Sequence, residues 1–111
     1  MKRIAHDLNN HIAALLSFSD LVLDEMPVEH TLRSRIEAIR TIGSFAVIRT
    51  LPDATRASQI VEHVVQLRTL AYGVLADVVD TRSPLYADVL EIATAAEAAM
   101  AIVSSRASVA A

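Results

Sequence analysis

A stretch near the start of the chain decides its fold: residues 4–26 read IAHDLNNHIAALLSFSDLVLDEM. The positions that recur in alternating steps of four and three residues are Leu8, Ile12, Leu15, Ser19, Val22 and Met26. This spacing puts their side chains on one face of a helix, as in helices that pack in a bundle. Because Pro27 cannot continue the helical hydrogen bonds, the first helix is predicted to run from about Lys2 to Glu25.

Working outward, a second helix is predicted after the Pro27 turn and antiparallel to the first, because the connection is short. Thr31 is a candidate N-cap, and the helix is expected to end near Leu51-Pro52. Its inward positions are predicted to be Leu32, Ile36, Ile39, Ile42 or Gly43, and Ala46.

Two further helices follow. The third is predicted to start at Asp53 or Ser58, and its inward positions are Ile60, Val64, Leu67, Ala71, Val74 and Val78. The fourth is predicted to start with Ser83 as N-cap and Pro84 at the first helical position, where a missing N–H costs nothing. Its inward positions are Leu85, Val89, Ile92, Ala96, Ala99 and Val103.

Composition supports an all-α fold of antiparallel helical hairpins forming a four-helix bundle. Of the 111 residues, 53% are hydrophobic and 4% aromatic, so Ala, Val, Leu and Ile supply most of the apolar surface. We predict one helical domain over residues 1–111, with a hairpin at 1–50 and a second helical pair of unknown role at 52–111. The bundle is expected to be completed or extended by homodimerisation, although all four helices of one chain could also close it.

Charge and cysteine content narrow the possible partners. The formal net charge is -3, so no basic field is available for nucleic acid. The chain has no Cys, which fits a cytoplasmic location and excludes thiolate chemistry. The uncharged runs fall short of the roughly 20 apolar residues that a membrane helix needs, so we expect a soluble protein without a membrane partner.

The start of the first helix carries the residues with chemical potential. Successive helical residues turn by about 100°, so His6 lies about 200° from the inward residue Leu8 and should face solvent. Asn10 falls one turn further on the same side, and Asp7 is adjacent. A neutral imidazole nitrogen can attack phosphorus when a neighbour orients the ring or accepts its proton, and Asp7 is available for this role.

The segment His6-Asp7-Leu8-Asn9-Asn10 resembles the phosphoacceptor box of two-component sensor histidine kinases, in the branch with Asp-Leu-Asn-Asn after the histidine. The resemblance covers roughly the first 45 residues, including the Leu32–Arg40 helix. It implies a phosphorylated His6, an Asp7 that assists transfer and an Asn10 that places water to dephosphorylate the partner. It further implies a homodimer and a response-regulator receiver domain as partner, docked against the helix that carries the histidine.

The chain departs from that family in its glycine content. The two glycines, Gly43 and Gly73, both fall inside predicted helices, so the chain should not bind ATP through the family's Gly-rich loops. We therefore predict a histidine phosphotransfer or phosphatase-like module of two-component signalling. It would exchange a phosphoryl group with a receiver Asp, without a cofactor of its own. The alternative is a non-catalytic helical module that docks on and modulates a histidine kinase or response regulator.

The remaining polar residues receive plainer interpretations. His11 is expected to be partly exposed or to lie in an interface, and His30 to lie in a turn. His63 is expected to have no metal role, because local partners are missing. Arginines of the second helix, Arg33, Arg35 and Arg40, could meet an acidic receiver surface, but a solvated helix face is the commoner outcome.

Overall fold

The computed structural model describes residues 2–49 and 52–110, with side chains for residues 3–49 and 52–104. It contains four helices: α1 (Lys2–Glu25), α2 (Arg33–Ala46), α3 (Ala54–Asp77) and α4 (Pro84–Ala110). No strand occurs within these described ranges. The all-α prediction is confirmed.

Each helix packs against two neighbours. Helix α1 lies between α2 and α4, and α3 contacts the same two helices from the opposite corner, so α1 and α3 are diagonal. Helices α1 and α2 are antiparallel, since the start of α1 meets the residues after α2 while the start of α2 meets the end of α1. The result is a four-helix bundle formed within one chain, with extents of 41 × 21 × 19 Å. Homodimerisation stays a prediction.

The predicted inward stripes form the core. The inward positions of α1 and α3 are all buried, and so are those of α4 except Leu85, which is half-buried. Ser19 is a fully buried polar residue of α1. Its hydroxyl donates to the Leu15 carbonyl oxygen at 2.7 Å, which satisfies a group that would otherwise be costly to bury.

The α1–α2 contact decides between the two candidates for the fourth inward position of α2. Gly43 is buried, while Ile42 is only half-buried. A Cβ at Gly43 would lie 3.0 Å from Leu16 Cδ2 and 3.1 Å from Leu15 Cδ2, so the missing side chain lets the two helices approach closely.

Two of the predicted helix starts are confirmed. Asp53 Oδ1 accepts a hydrogen bond from the Arg56 N–H at 2.7 Å at the start of α3. At the start of α4, Ser83 Oγ accepts from the Tyr86 N–H at 3.1 Å, with Pro84 next in the chain. Both are the N-cap contacts expected of short polar side chains.

The predicted boundaries of α2 were wrong at both ends. Leu32, not Thr31, occupies the N-cap position, and its side chain makes no capping hydrogen bond. The Leu32 N–H instead donates to Nδ1 of His30 at 3.1 Å. The acceptor at the start of α2 is therefore an imidazole nitrogen and not the predicted Thr31 hydroxyl. The helix ends at Ala46, before the predicted Leu51 boundary; Thr50 and Leu51 lie outside the described residues.

Candidate functional site

His6 lies in the second turn of α1 and its side chain is exposed, as the helical spacing predicted. Asn10 is also exposed, and its Nδ2 atom lies 3.4 Å from Nε2 of His6. Of the two neutral tautomers, the one with its proton on Nδ1 is the one whose Nε2 can accept this amide N–H. In that tautomer the lone pair is on Nε2, and it must leave the amide contact before it can attack phosphorus. The contact is long, so it biases the ring without locking it.

Asp7 is exposed beside His6. Within the described side chains, no hydrogen bond or ion pair joins the Asp7 carboxylate to the imidazole. Of the three residues singled out from the sequence, the structure thus brings His6 and Asn10 together. It leaves Asp7 adjacent to them but without a contact.

Asn9 differs from Asn10, although the two are neighbours in the motif. Its side chain is half-buried and makes two hydrogen bonds to the backbone of Ile48. Asn9 Nδ2 donates to the Ile48 carbonyl oxygen, and the Ile48 N–H donates to Asn9 Oδ1, each at 2.8 Å. This reciprocal pair ties the segment after α2 to the turn of α1 that bears His6. Asn9 therefore has a structural reason to occupy a helical position that its propensity disfavours.

We expect Asn9→Ala to lower the free energy of unfolding by about 1–2 kcal/mol. Two hydrogen bonds of about 1 kcal/mol each are lost, offset by about half a kcal/mol because Ala is the better helix former. Asn10→Ala is the matched control: it removes no backbone contact and should stabilise the fold by about half a kcal/mol through propensity alone. Urea unfolding followed by circular dichroism measures both variants. Equal shifts in the two would contradict the bracing role of Asn9.

None of the other three histidines is hydrogen-bonded to His6 in the described part of the chain. His11 is half-buried, and His30 accepts the Leu32 N–H described above. The ring of His63 stacks on Phe45, with centroids 6.1 Å apart, and its Nδ1 atom is buried without a hydrogen-bond partner in the described part of the chain. No cluster of three or more His, Asp or Glu residues able to hold a metal ion occurs among the residues that the structure describes.

The arginines of α2 contact other helices, which neither interpretation from the sequence had anticipated. Arg33 Nη1 donates to the carbonyl oxygens of Leu23 and Met26 at 3.0 and 2.9 Å, and so satisfies backbone groups at the end of α1. The other two form ion pairs: Arg35 with Asp77 of α3 and Arg40 with Asp20 of α1.

Two clefts open near the ends of the bundle. One, of about 420 Å³, lies between the end of α2 and the start of α3 and includes Phe45, Arg49 and Arg56 in its lining. The other, of about 200 Å³, lies beside Pro27 at the opposite end. His6 lines neither cleft. The candidate site is therefore an open helix surface, suited to a protein partner more than to an enclosed small molecule.

Charge is distributed unevenly between the two ends. At the end that carries His6, the described side chains of residues 3–10, 43–49, 52–57 and 103–104 include three basic and two acidic groups. The opposite end, made of residues 22–35 and 75–91, holds three basic and seven acidic residues. An anionic partner surface is thus repelled from the acidic end, whereas the described side chains at the His6 end carry one excess positive charge.

Comparisons with known proteins identify no relative: no protein-family model, curated protein or solved structure matches this chain. Along the described helices, none combines the length and the apolar character needed to cross a membrane.

Proposed function

We propose that this chain is a histidine phosphotransfer module that exchanges a phosphoryl group between His6 and the aspartate of a response-regulator receiver domain. One observation carries the proposal: an exposed histidine and an amide side chain lie together on one helix face, in the order of the phosphoacceptor box. The role in two-component signalling, the cytoplasmic location and the receiver partner all rest on this assignment and on the resemblance of the first 45 residues.

In the proposed reaction, Nε2 of His6 attacks the phosphorus of the receiver's aspartyl phosphate. A P–N bond forms as the P–O bond to the aspartate breaks, and the aspartate leaves as a carboxylate. The proton on Nδ1 needs an acceptor as the ring becomes phosphorylated, and we assign that role to Asp7. Any Mg²⁺ at the aspartyl phosphate belongs to the partner.

The uneven charge supports a partner of this kind. An aspartyl phosphate and the carboxylates around it form an anionic surface, and charges on the chain act on such a surface over distances up to about 10 Å at ordinary ionic strength. Arg3, Arg49 and Arg56 are the described basic residues at the His6 end. The acidic opposite end disfavours docking there. The charges thus orient the encounter so that the phosphoryl group meets α1 near His6.

The direct test is phosphoryl transfer from receiver domains charged with labelled acetyl phosphate to the purified chain. The proposal expects a label on the chain that is stable in base and lost in acid, as a phosphoramidate is. If no receiver encoded in the same genome labels the chain or loses its own phosphate to it, phosphotransfer is excluded as the function.

For Asn10 we expect a selective effect. Asn10→Ala should slow the release of inorganic phosphate from the receiver by roughly tenfold to a hundredfold, because the amide no longer positions the attacking water. Transfer to His6 should change little, since the amide contact with Nε2 is weak. Phosphate release and transfer are measured in parallel on the same receiver, with Ser17→Ala, an exposed position on α1, as control. An unchanged release rate would remove Asn10 from the proposed site.

The second candidate function is a non-catalytic module that docks on a histidine kinase or response regulator. Its specific support is the reciprocal Asn9–Ile48 contact, which explains one of the two asparagines by structure alone. A chain that binds a receiver with equal affinity whether His6 is present or replaced, and that never carries phosphate, would establish this alternative.

The homodimer implied by the resemblance also belongs to the proposal. In that family two hairpins complete one bundle, whereas here the inward stripes of α1 and α2 are already buried against α3 and α4 of the same chain. A dimer of intact bundles must therefore use a surface other than these stripes.

A further inference from the structure

The outward sides of α3 and α4 expose apolar side chains that no other described part of the chain covers. Three large apolar side chains of α3, Val61, Val65 and Tyr72, are 36–41% exposed. With steps of four and seven residues, they fall within a narrow stripe on one side of the helix. Leu90 of α4 is 43% exposed. Four of the eight exposed large hydrophobic residues in the described part of the chain thus lie on these two helices.

An ion pair joins the two helices within this face. Arg68 Nε lies 2.5 Å from Glu97 Oε2, and the Arg68 guanidinium also lies over the Tyr72 ring, 5.3 Å from its centroid. The hydrogen bond from Arg68 lowers the pKa of Glu97, and the same bond raises the pKa of Arg68. Both groups therefore stay charged at neutral pH, although each side chain remains close to half exposed.

We infer that the face formed by Val61, Val65, Arg68 and Tyr72 of α3 with Leu90 and Glu97 of α4 binds the same face of a second copy of this chain. The face carries a cation and an anion side by side among apolar groups. A two-fold axis through it brings each Arg68 towards the Glu97 of the partner copy, so the surface is complementary to itself. A partner surface that is mainly positive or mainly negative would attract only one of these two charged groups.

Other parts of the described surface are less suited to binding a second copy. The inward stripes are closed inside the bundle. The remaining exposed apolar residues are Leu21 on α1, Phe45 at the end of α2, and Val28 and Val79 in two different connecting segments. Helix α3 is also diagonal to α1. A dimer through the α3–α4 face therefore leaves His6 of both copies exposed, and the inference does not depend on the proposed phosphotransfer.

The first test compares Val65→Glu with Leu21→Glu. Both residues are 41% exposed on a helix, but only Val65 lies on the proposed face. We expect the wild type to dimerise at micromolar concentration. Val65→Glu should raise the dissociation constant at least about tenfold, since it places a charge in an apolar contact, whereas Leu21→Glu should leave it within about threefold. Light scattering and sedimentation over a concentration series measure this, with circular dichroism to check folding.

The second test uses the ion pair. Glu97→Arg brings four cations together at the proposed interface and should weaken the dimer, whereas the exchanged pair Arg68→Glu with Glu97→Arg should restore it. A wild-type chain that remains monomeric up to several hundred micromolar overturns the inference. So does a dimer that neither Val65→Glu nor Glu97→Arg weakens.

Discussion

His6→Ala will take up no phosphate from a charged receiver, while the wild-type chain will carry an acid-labile label. The expected loss is complete, because no other exposed group of the proposed site can form the P–N bond. His6 is exposed, and among the described side chains its one hydrogen-bond contact is the long one with Asn10. Its removal should therefore change the free energy of unfolding by no more than about 0.5 kcal/mol. Loss of label can therefore be separated from loss of fold.

The remaining histidines supply matched controls for this experiment. His11→Ala, His30→Ala and His63→Ala should each keep the label, although the change at His30 also removes the acceptor for the Leu32 N–H. Peptide mapping after mild base treatment locates the phosphate. If His6→Ala stays labelled, or if the label maps to another histidine, the assignment of His6 as phosphoacceptor is wrong, whatever the receiver.

Leu67→Ala will lower the free energy of unfolding by about 2–5 kcal/mol, the usual cost of a truncated core leucine and the cavity that it leaves. Leu67 is completely buried on α3, which packs against both α2 and α4. Leucine and alanine differ little in helix propensity, so the effect reports packing. Urea unfolding should show a lower midpoint with an unchanged slope.

The same substitution at an exposed site controls for the change of residue type. Leu21→Ala, at a position that is 41% exposed on α1, should cost no more than about 0.5–1 kcal/mol. Because all four helices share one core, we also expect Leu67→Ala to destabilise the whole chain in a single transition. Separate transitions, with the α1–α2 hairpin unaffected, would show that residues 52–111 fold independently.

Most of the fold follows from local sequence signals. The apolar spacing of each helix is long and regular, and the inward faces of α1 and α3 agree with the structure at each predicted position. Asp53 and Ser83 could be recognised as N-caps because capping needs only a short polar side chain next to the helix that it starts. The boundaries of α2 were missed because its start depends on the ring of His30 and its end depends on a contact with α1.

The candidate site was predictable only in part. Helical rotation alone puts His6 and Asn10 on one exposed face, since residues four apart are neighbours on a helix. Asn9 was not recognised as a brace because its partner, Ile48, is 39 residues away in the sequence. The arginines of α2 were missed for the same reason: their partners Asp20 and Asp77 lie on other helices.

Some features of the stretch around His6 are set by local sequence, and others are set by contacts with distant parts of the chain. The sequence by itself determined the helix, its inward stripe and the shared exposed face of His6 and Asn10, because these depend on residues within one or two turns. Only the tertiary structure decided that Asn9 braces the Ile48 segment, that Gly43 is the close-contact position, and that α3 and α4 close the bundle core. Those features depend on which helices meet and at what depth, and residues far apart in the chain set that geometry through packing.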